Sequence, residues 1–157
     1  MSSEQLPDGS VETARYTHGH SAAVLSAHSR RGAADSAAYL LAHLRAGMDL
    51  LDVGCGPASI TADLAERVAP GRVVALDAAS GALEAARATL RDRGLSEQVE
   101  VTSGDVVALP FEDASFDVVH AHQVLQHLAD PVGALAEMRR VTRPGGIVAV
   151  RDAVYSA

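Results

Sequence analysis

Three aspartates stand where three predicted strands run out. Asp52 stands next to last in MDLLDV, Asp77 closes RVVALD, and Asp105 follows Gly104 at the end of QVEVTSGD. Between the first two lies a glycine loop, Asp52-Val53-Gly54-Cys55-Gly56-Pro57-Ala58-Ser59. Glycines so spaced let a backbone turn tightly and approach a ligand with no Cβ in the way. Asp77 follows Gly56 at the sequence distance expected of a carboxylate that accepts both hydroxyls of a ribose. If the three strands share one parallel sheet, the three carboxylates share one rim. A ligand with an ammonium group, a ribose and a base bearing an exocyclic amine would meet Asp52, Asp77 and Asp105 in that order.

Two commoner nucleotide loops do not fit. The dinucleotide fingerprint needs a glycine where Ser59 stands, and no Gly-Lys-Ser/Thr follows as a phosphate loop requires. Asp52 would also repel a diphosphate while attracting an ammonium. Ala58 occupies the next alternate position after Gly54 and Gly56. A methyl there is costly if φ is positive and harmless if the backbone is helical, and the helical case is the expectation.

These residues need a scaffold, and the hydrophobic pattern supplies one. Apolar residues recur at helical steps from Ser21 to Arg45, interrupted at Gly32. Strands are expected at 48–53, 72–77, 98–105, 116–122 and 146–152. Helices are expected over 60–68, from a Ser80 cap to Gly94, and from Pro131 to Arg140. Strands alternating with helices argue βαβ units around a parallel sheet. The fold class is α/β, a Rossmann-like doubly wound sheet. Residues 1–20 read as a flexible lead and 21–157 as the single domain.

The bulk numbers narrow the function. The chain has 157 residues, 48% hydrophobic and 21% charged, with a formal charge of -7. That is the composition of a globular domain, and it excludes a broad basic footprint for nucleic acid or an anionic membrane. No apolar run reaches the roughly 20 residues of a membrane span. Cys55 is the only cysteine, so an internal disulfide and a cysteine metal cluster are excluded, and a reducing cytoplasm is expected. His120, His122 and His127 lie on or just after the fourth strand, with Asp117 and Asp130 nearby. Packing and turn roles for His120 and His127 are preferred there to a metal site.

Four segments, in order and at consistent spacing, carry a resemblance. LDVGCGPAS, VVALDAAS, GDVVALPFEDASFDVVHAHQVLQHLADP and LAEMRRVTRPGGIVAV together run nearly continuously over residues 48–151. The chain resembles class I S-adenosylmethionine-dependent methyltransferases, in the group related to ubiquinone and menaquinone biosynthesis methyltransferases. The resemblance implies strand order 3-2-1-4-5, and the family's usual strands 6 and 7 have no counterpart in this sequence. It places Asp52, Gly54, Cys55 and Gly56 around the methionine part of the cofactor, and Asp77 with Ala78 at the ribose. Asp105 and Val106 would flank the adenine, with His122, Gln123 and Tyr16 toward the methionyl end. The activity implied is in-line methyl transfer from S-adenosylmethionine to a small-molecule acceptor, leaving S-adenosylhomocysteine. His122 and His18 are the candidates for a base where the acceptor must lose a proton. The short C-terminal side leaves three alternatives open: a non-catalytic S-adenosylmethionine- or S-adenosylhomocysteine-binding protein, a fragment of a longer methyltransferase, or a homodimer covering the sheet edge.

Overall fold

Val73–Asp77 is buried at every position, as a strand covered on both faces must be. It forms β2 of a five-stranded sheet in the computed structural model, which describes residues 32–154. The other strands are β1 (Leu50–Val53), β3 (Val99–Ser103), β4 (Phe116–His122) and β5 (Thr142–Arg151). The order is β3-β2-β1-β4-β5, and every pairing is parallel. The chain thus starts in the centre, winds outward to β3, and returns to β4 on the other side of β1. That reversal opens a crevice beyond the C-terminal ends of β1 and β4.

Helices cover both faces. Alternate residues of a strand point to opposite sides, so Leu50, Val73, Ala75 and Val118 share one face while Leu51, Val53, Val74 and Val119 share the other. On the first face pack α1 (Ala33–Ser36), α2 (Ala38–Leu41), α3 (Ser59–Val68) and α4 (Ser80–Asp92), through Ala33, Leu40, Ala62, Leu64, Ala86 and Leu90. On the second packs α5 (Pro131–Val141), through Ala134, Met138 and Val141. Asp130 caps α5 by accepting from Gly133 N–H at 2.8 Å, and Pro131 takes the first helical position.

The turn-rich connection between β3 and β4 is held by α5. Arg140 donates to the carbonyls of Leu109 and Phe111 at 3.0 and 2.8 Å, and Glu137 accepts from Leu109 N–H at 2.8 Å. Phe111 meets Phe116 edge to face, with centroids 5.1 Å apart.

Three expectations change. The helical run before β1 ends at Leu41 and is split at Ala37, where φ is -132°; Ala42–Arg45 does not continue it. Residues 21–31, and the lead of residues 1–20, lie outside those described. The fifth strand begins at Thr142, with Pro144-Gly145-Gly146 inside it. The β4–β5 register shifts between Phe116 and Val118 to absorb the extra residues. Gly145 has φ +79°, and a Cβ on Gly146 would stand 2.6 Å from the Asp117 carbonyl oxygen. Only glycine lets the strand pass that point. Ser80 begins α4 without capping it: the cap position is Ala79, whose N–H donates to Asp77 at 3.0 Å.

Candidate functional site

The glycine loop leaves β1 and enters α3. Gly54, Gly56 and Ala58 all take left-handed backbone, with φ of +67°, +55° and +63°. The expectation of a helical Ala58 is therefore overturned. The residue sits just outside α3 as its N-cap, with no side-chain cap bond, so the turn geometry rather than the helix sets its φ. An L-residue in this region costs about 1–2 kcal/mol. The loop is strapped to β2, because Gly54 N–H and Cys55 N–H both donate to the Leu76 carbonyl, at 2.7 and 3.0 Å. A Cβ on Gly56 would meet nothing within 4 Å among the described residues.

Cys55 is buried inside the loop. Burial, then the charges of Asp52 and Asp77, push its thiol up. That is the setting of an inert thiol rather than a nucleophile.

Asp77 joins the loop to β2. Its Oδ2 accepts from Gly56 N–H and its Oδ1 from Ala79 N–H, both at 3.0 Å. Each oxygen keeps a second lone pair. Asp52 is 3% exposed and is held from two sides. Its Oδ2 accepts from the Thr61 hydroxyl at 2.6 Å, and its Oδ1 lies 2.8 Å from His120 Nδ1. Asp105 is exposed and folds back on its own turn, accepting from Val107 N–H at 3.0 Å. Among the described residues no lysine or arginine pairs with any of these three carboxylates. Ala78, beside Asp77, is exposed, whereas Val106 points into the core of the second face.

His122 ends β4 and is partly buried. Gln123 follows with φ +53° and donates its N–H to the Arg151 carbonyl at 2.7 Å. Gln126 then ties this segment to the chain after β5: its N–H donates to Asp152 at 3.2 Å, and its Oε1 accepts from Ala153 N–H at 2.6 Å. Tyr16 and His18 lie outside the described residues. Among those described, no group of three or more His, Cys, Asp or Glu is arranged to hold a metal ion, and no helix is long and apolar enough to cross a membrane.

Thr61 and Tyr39 escaped the sequence reading, and His120, expected there to pack, is buried but also meets Asp52. Thr61 sits on the first turn of α3, where helical spacing turns it back toward β1. His120 is the register partner of Asp52 across β1 and β4, and sequence spacing carries no register. Tyr39 on α2 is half exposed, and its phenol is pushed up by burial, with Arg151 opposing and Asp52 and Asp152 reinforcing the shift. Its nearness to the rim follows from how α2 docks on the sheet.

Comparison with known proteins agrees with this geometry. Residues 51–150 match the family model described as a methyltransferase domain. An uncharacterised methyltransferase of Schizosaccharomyces pombe is 35% identical over 143 residues, covering 88% of this chain and 51% of that protein. A demethylmenaquinone methyltransferase of Lactococcus lactis is 41% identical over 103 residues, covering 65% and 40%. This chain thus spans about half the length, or less, of such relatives. Among solved structures, the cyclase SpnF superposes with a TM-score of 0.68 at 34% identity, covering 78% of this chain and 47% of that one. A SAM-dependent methyltransferase from Aquifex aeolicus superposes at 0.67 and 28%, covering 73% and 62%. The fold, the strand order and the glycine loop between β1 and α3 converge with the matched residues on one conclusion: this chain belongs to the methyltransferase domain family.

Proposed function

We propose that the rim at the C-terminal ends of β1 to β4 binds S-adenosylmethionine and directs its methyl group to a small-molecule acceptor. The observation that carries this reading is the pairing of a left-handed glycine loop, uncovered at Gly56 among the described residues, with carboxylates that have no arginine partner there. A cationic ligand suits such a rim; a phosphate does not. Gly54, Cys55 and Gly56 would hold the methionyl part and Asp52 would supply negative charge beneath it. The remaining lone pairs of Asp77 suit a vicinal diol, with exposed Ala78 beside it. Asp105 is the acceptor for an exocyclic amine, and Val106 shapes that wall from within the core. His122 and Gln123 stand at the methionyl end, and Tyr16 is assigned there from the sequence.

The bound sulfonium would supply an already activated methyl group. The share left to this chain is alignment, desolvation and electrostatics. The loop fixes the ligand's position, and the buried floor of the rim keeps water out. A base is needed only where the acceptor must lose a proton, and His122 or His18 would serve.

The acceptor is assigned to the quinone class, and the chain to the ubiquinone and menaquinone group, on the strength of the demethylmenaquinone methyltransferase relative. The negative charge favours a small molecule over nucleic acid. A buried single thiol favours a reducing compartment, the cytoplasm. Among the described residues β5 has a neighbour on one side only and exposes Val148, so a second copy covering that edge is the assembly proposed. The division into a lead of residues 1–20 and one domain of 21–157 belongs to the same reading. A second reading follows from the likeness to SpnF, which is named a cyclase: the rim binds the cofactor without passing on its methyl group.

Calorimetric titration of the chain with S-adenosylmethionine and S-adenosylhomocysteine tests the proposal. Micromolar binding and methyl transfer to quinone-type phenols are expected. No binding would overturn the cofactor assignment, and binding without transfer to any acceptor would favour the second reading. Light scattering on the same sample decides the dimer.

A further inference from the structure

His120 is fully buried at the middle of the sheet, and nothing in the proposed chemistry uses it. Its Nδ1 lies 2.8 Å from Asp52 Oδ1, while its Nε2 is buried with no hydrogen-bond partner among the described residues. A carboxylate only accepts, so the proton of the ring sits on Nδ1. The ring therefore presents Nδ1–H to Asp52. Asp52 is then gripped from both sides, by Thr61 on α3 and by His120 on β4.

We propose that His120 is a positioning residue: its Nδ1–H, with the Thr61 hydroxyl, locks the Asp52 carboxylate in one orientation beneath the glycine loop, ready for the cationic end of the ligand. This rests on the reading of the loop as the S-adenosylmethionine site. Asp52 takes two hydrogen bonds from side chains on different elements, and β1–β4 pairing sets the two residues opposite each other. A buried carboxylate without those donors would turn toward any other donor or take up a proton.

The test has two independent arms. In ligand-free protein carrying 15N-histidine, the His120 signals are those lost in His120→Asn. They are expected to show a proton on Nδ1 at pH 8. A bare Nδ1 there overturns the proposal whether or not the cofactor binds. In the second arm, S-adenosylmethionine affinity is measured for His120→Asn and His120→Leu. Asparagine carries an amide N–H close to where Nδ1 stood and is expected to bind within about threefold of the parent. Leucine removes the donor and is expected to bind about tenfold more weakly or worse, the scale of one lost bond to a charged group. Equal losses in both variants, or none in either, overturn the proposal. A parent that binds no cofactor overturns the proposed function instead, and the 15N arm then still decides the His120–Asp52 pair.

Discussion

The two ends of the sheet treat aspartates in opposite ways. At the N-terminal end, Asp49 and Asp117 share one arginine: Arg143 donates to Asp49 at 3.0 Å and to Asp117 at 2.9 Å. Backbone donors add to this, with Arg72 N–H on Asp49 at 3.0 Å and Asp49 N–H on Asp117 at 2.8 Å. At the C-terminal end, Asp52 and Asp77 receive only uncharged donors and histidine. One end neutralises its charge internally and serves stability. The other gives its aspartates hydrogen bonds but no arginine partner among the described residues, which suits the cationic ligand proposed for it.

Asp77→Ala is the largest test of that contrast. It removes two bonds to a charged acceptor, each worth about 1.5–3 kcal/mol, and is expected to weaken S-adenosylmethionine at least about 100-fold by calorimetry. Unchanged affinity would mean that this end of the sheet is not the ligand end.

Cys55 tests the burial of the same rim. Its thiol keeps its proton better in the folded state than in the unfolded one. The stability this contributes is full below the ordinary thiol range and declines as pH rises toward the raised folded value. Alkylation by iodoacetamide at pH 8.5 is expected to be about tenfold or more slower than in urea-unfolded chain. A Cys55→Ala variant should flatten the alkaline loss of thermal stability. Rapid labelling of folded protein would show that the loop is not closed over the thiol.

Asp117→Asn acts at the opposite end. It weakens the shared arginine pair and a backbone bond, so Tm is expected to fall by about 3–6 °C while cofactor affinity stays within about twofold. A matching loss of affinity would erase the division between the two ends.

Ala58→Gly is the smallest change. It relieves the left-handed backbone at +63° but adds freedom to the unfolded chain. A Tm rise of about 2 °C by calorimetry is expected. A fall would show that the Ala58 methyl, buried in the core, is worth more than the strain.

Much of this was legible before any coordinates. β4 spans Phe116–His122 as expected, and Pro131 opens α5 as proline at a first helical turn should. Asp77 ends β2 as expected, because the apolar run stops there, whereas Asp52 lies inside β1 and Asp105 falls beyond β3, which stops at Ser103 rather than at residue 105. The helix before β1 was less legible, because an alanine-rich pattern is compatible with helix almost everywhere and only docking decides where it breaks. The start of β5 was hidden by Pro144-Gly145-Gly146, which signals a turn but here fits a strand with a register shift.

The residues by themselves determined the layers, the βαβ order and the position of the glycine loop, because these follow from local periodicity and turn chemistry. Only the tertiary structure decided what each carboxylate touches. Asp52 meets His120 through strand register and Thr61 through the angle of α3; Asp77 meets Gly56 because β1 and β2 lie side by side. Ala58 took its positive φ from the turn geometry rather than from its own preference. Contacts between distant segments depend on pairing and packing that no local stretch of sequence contains.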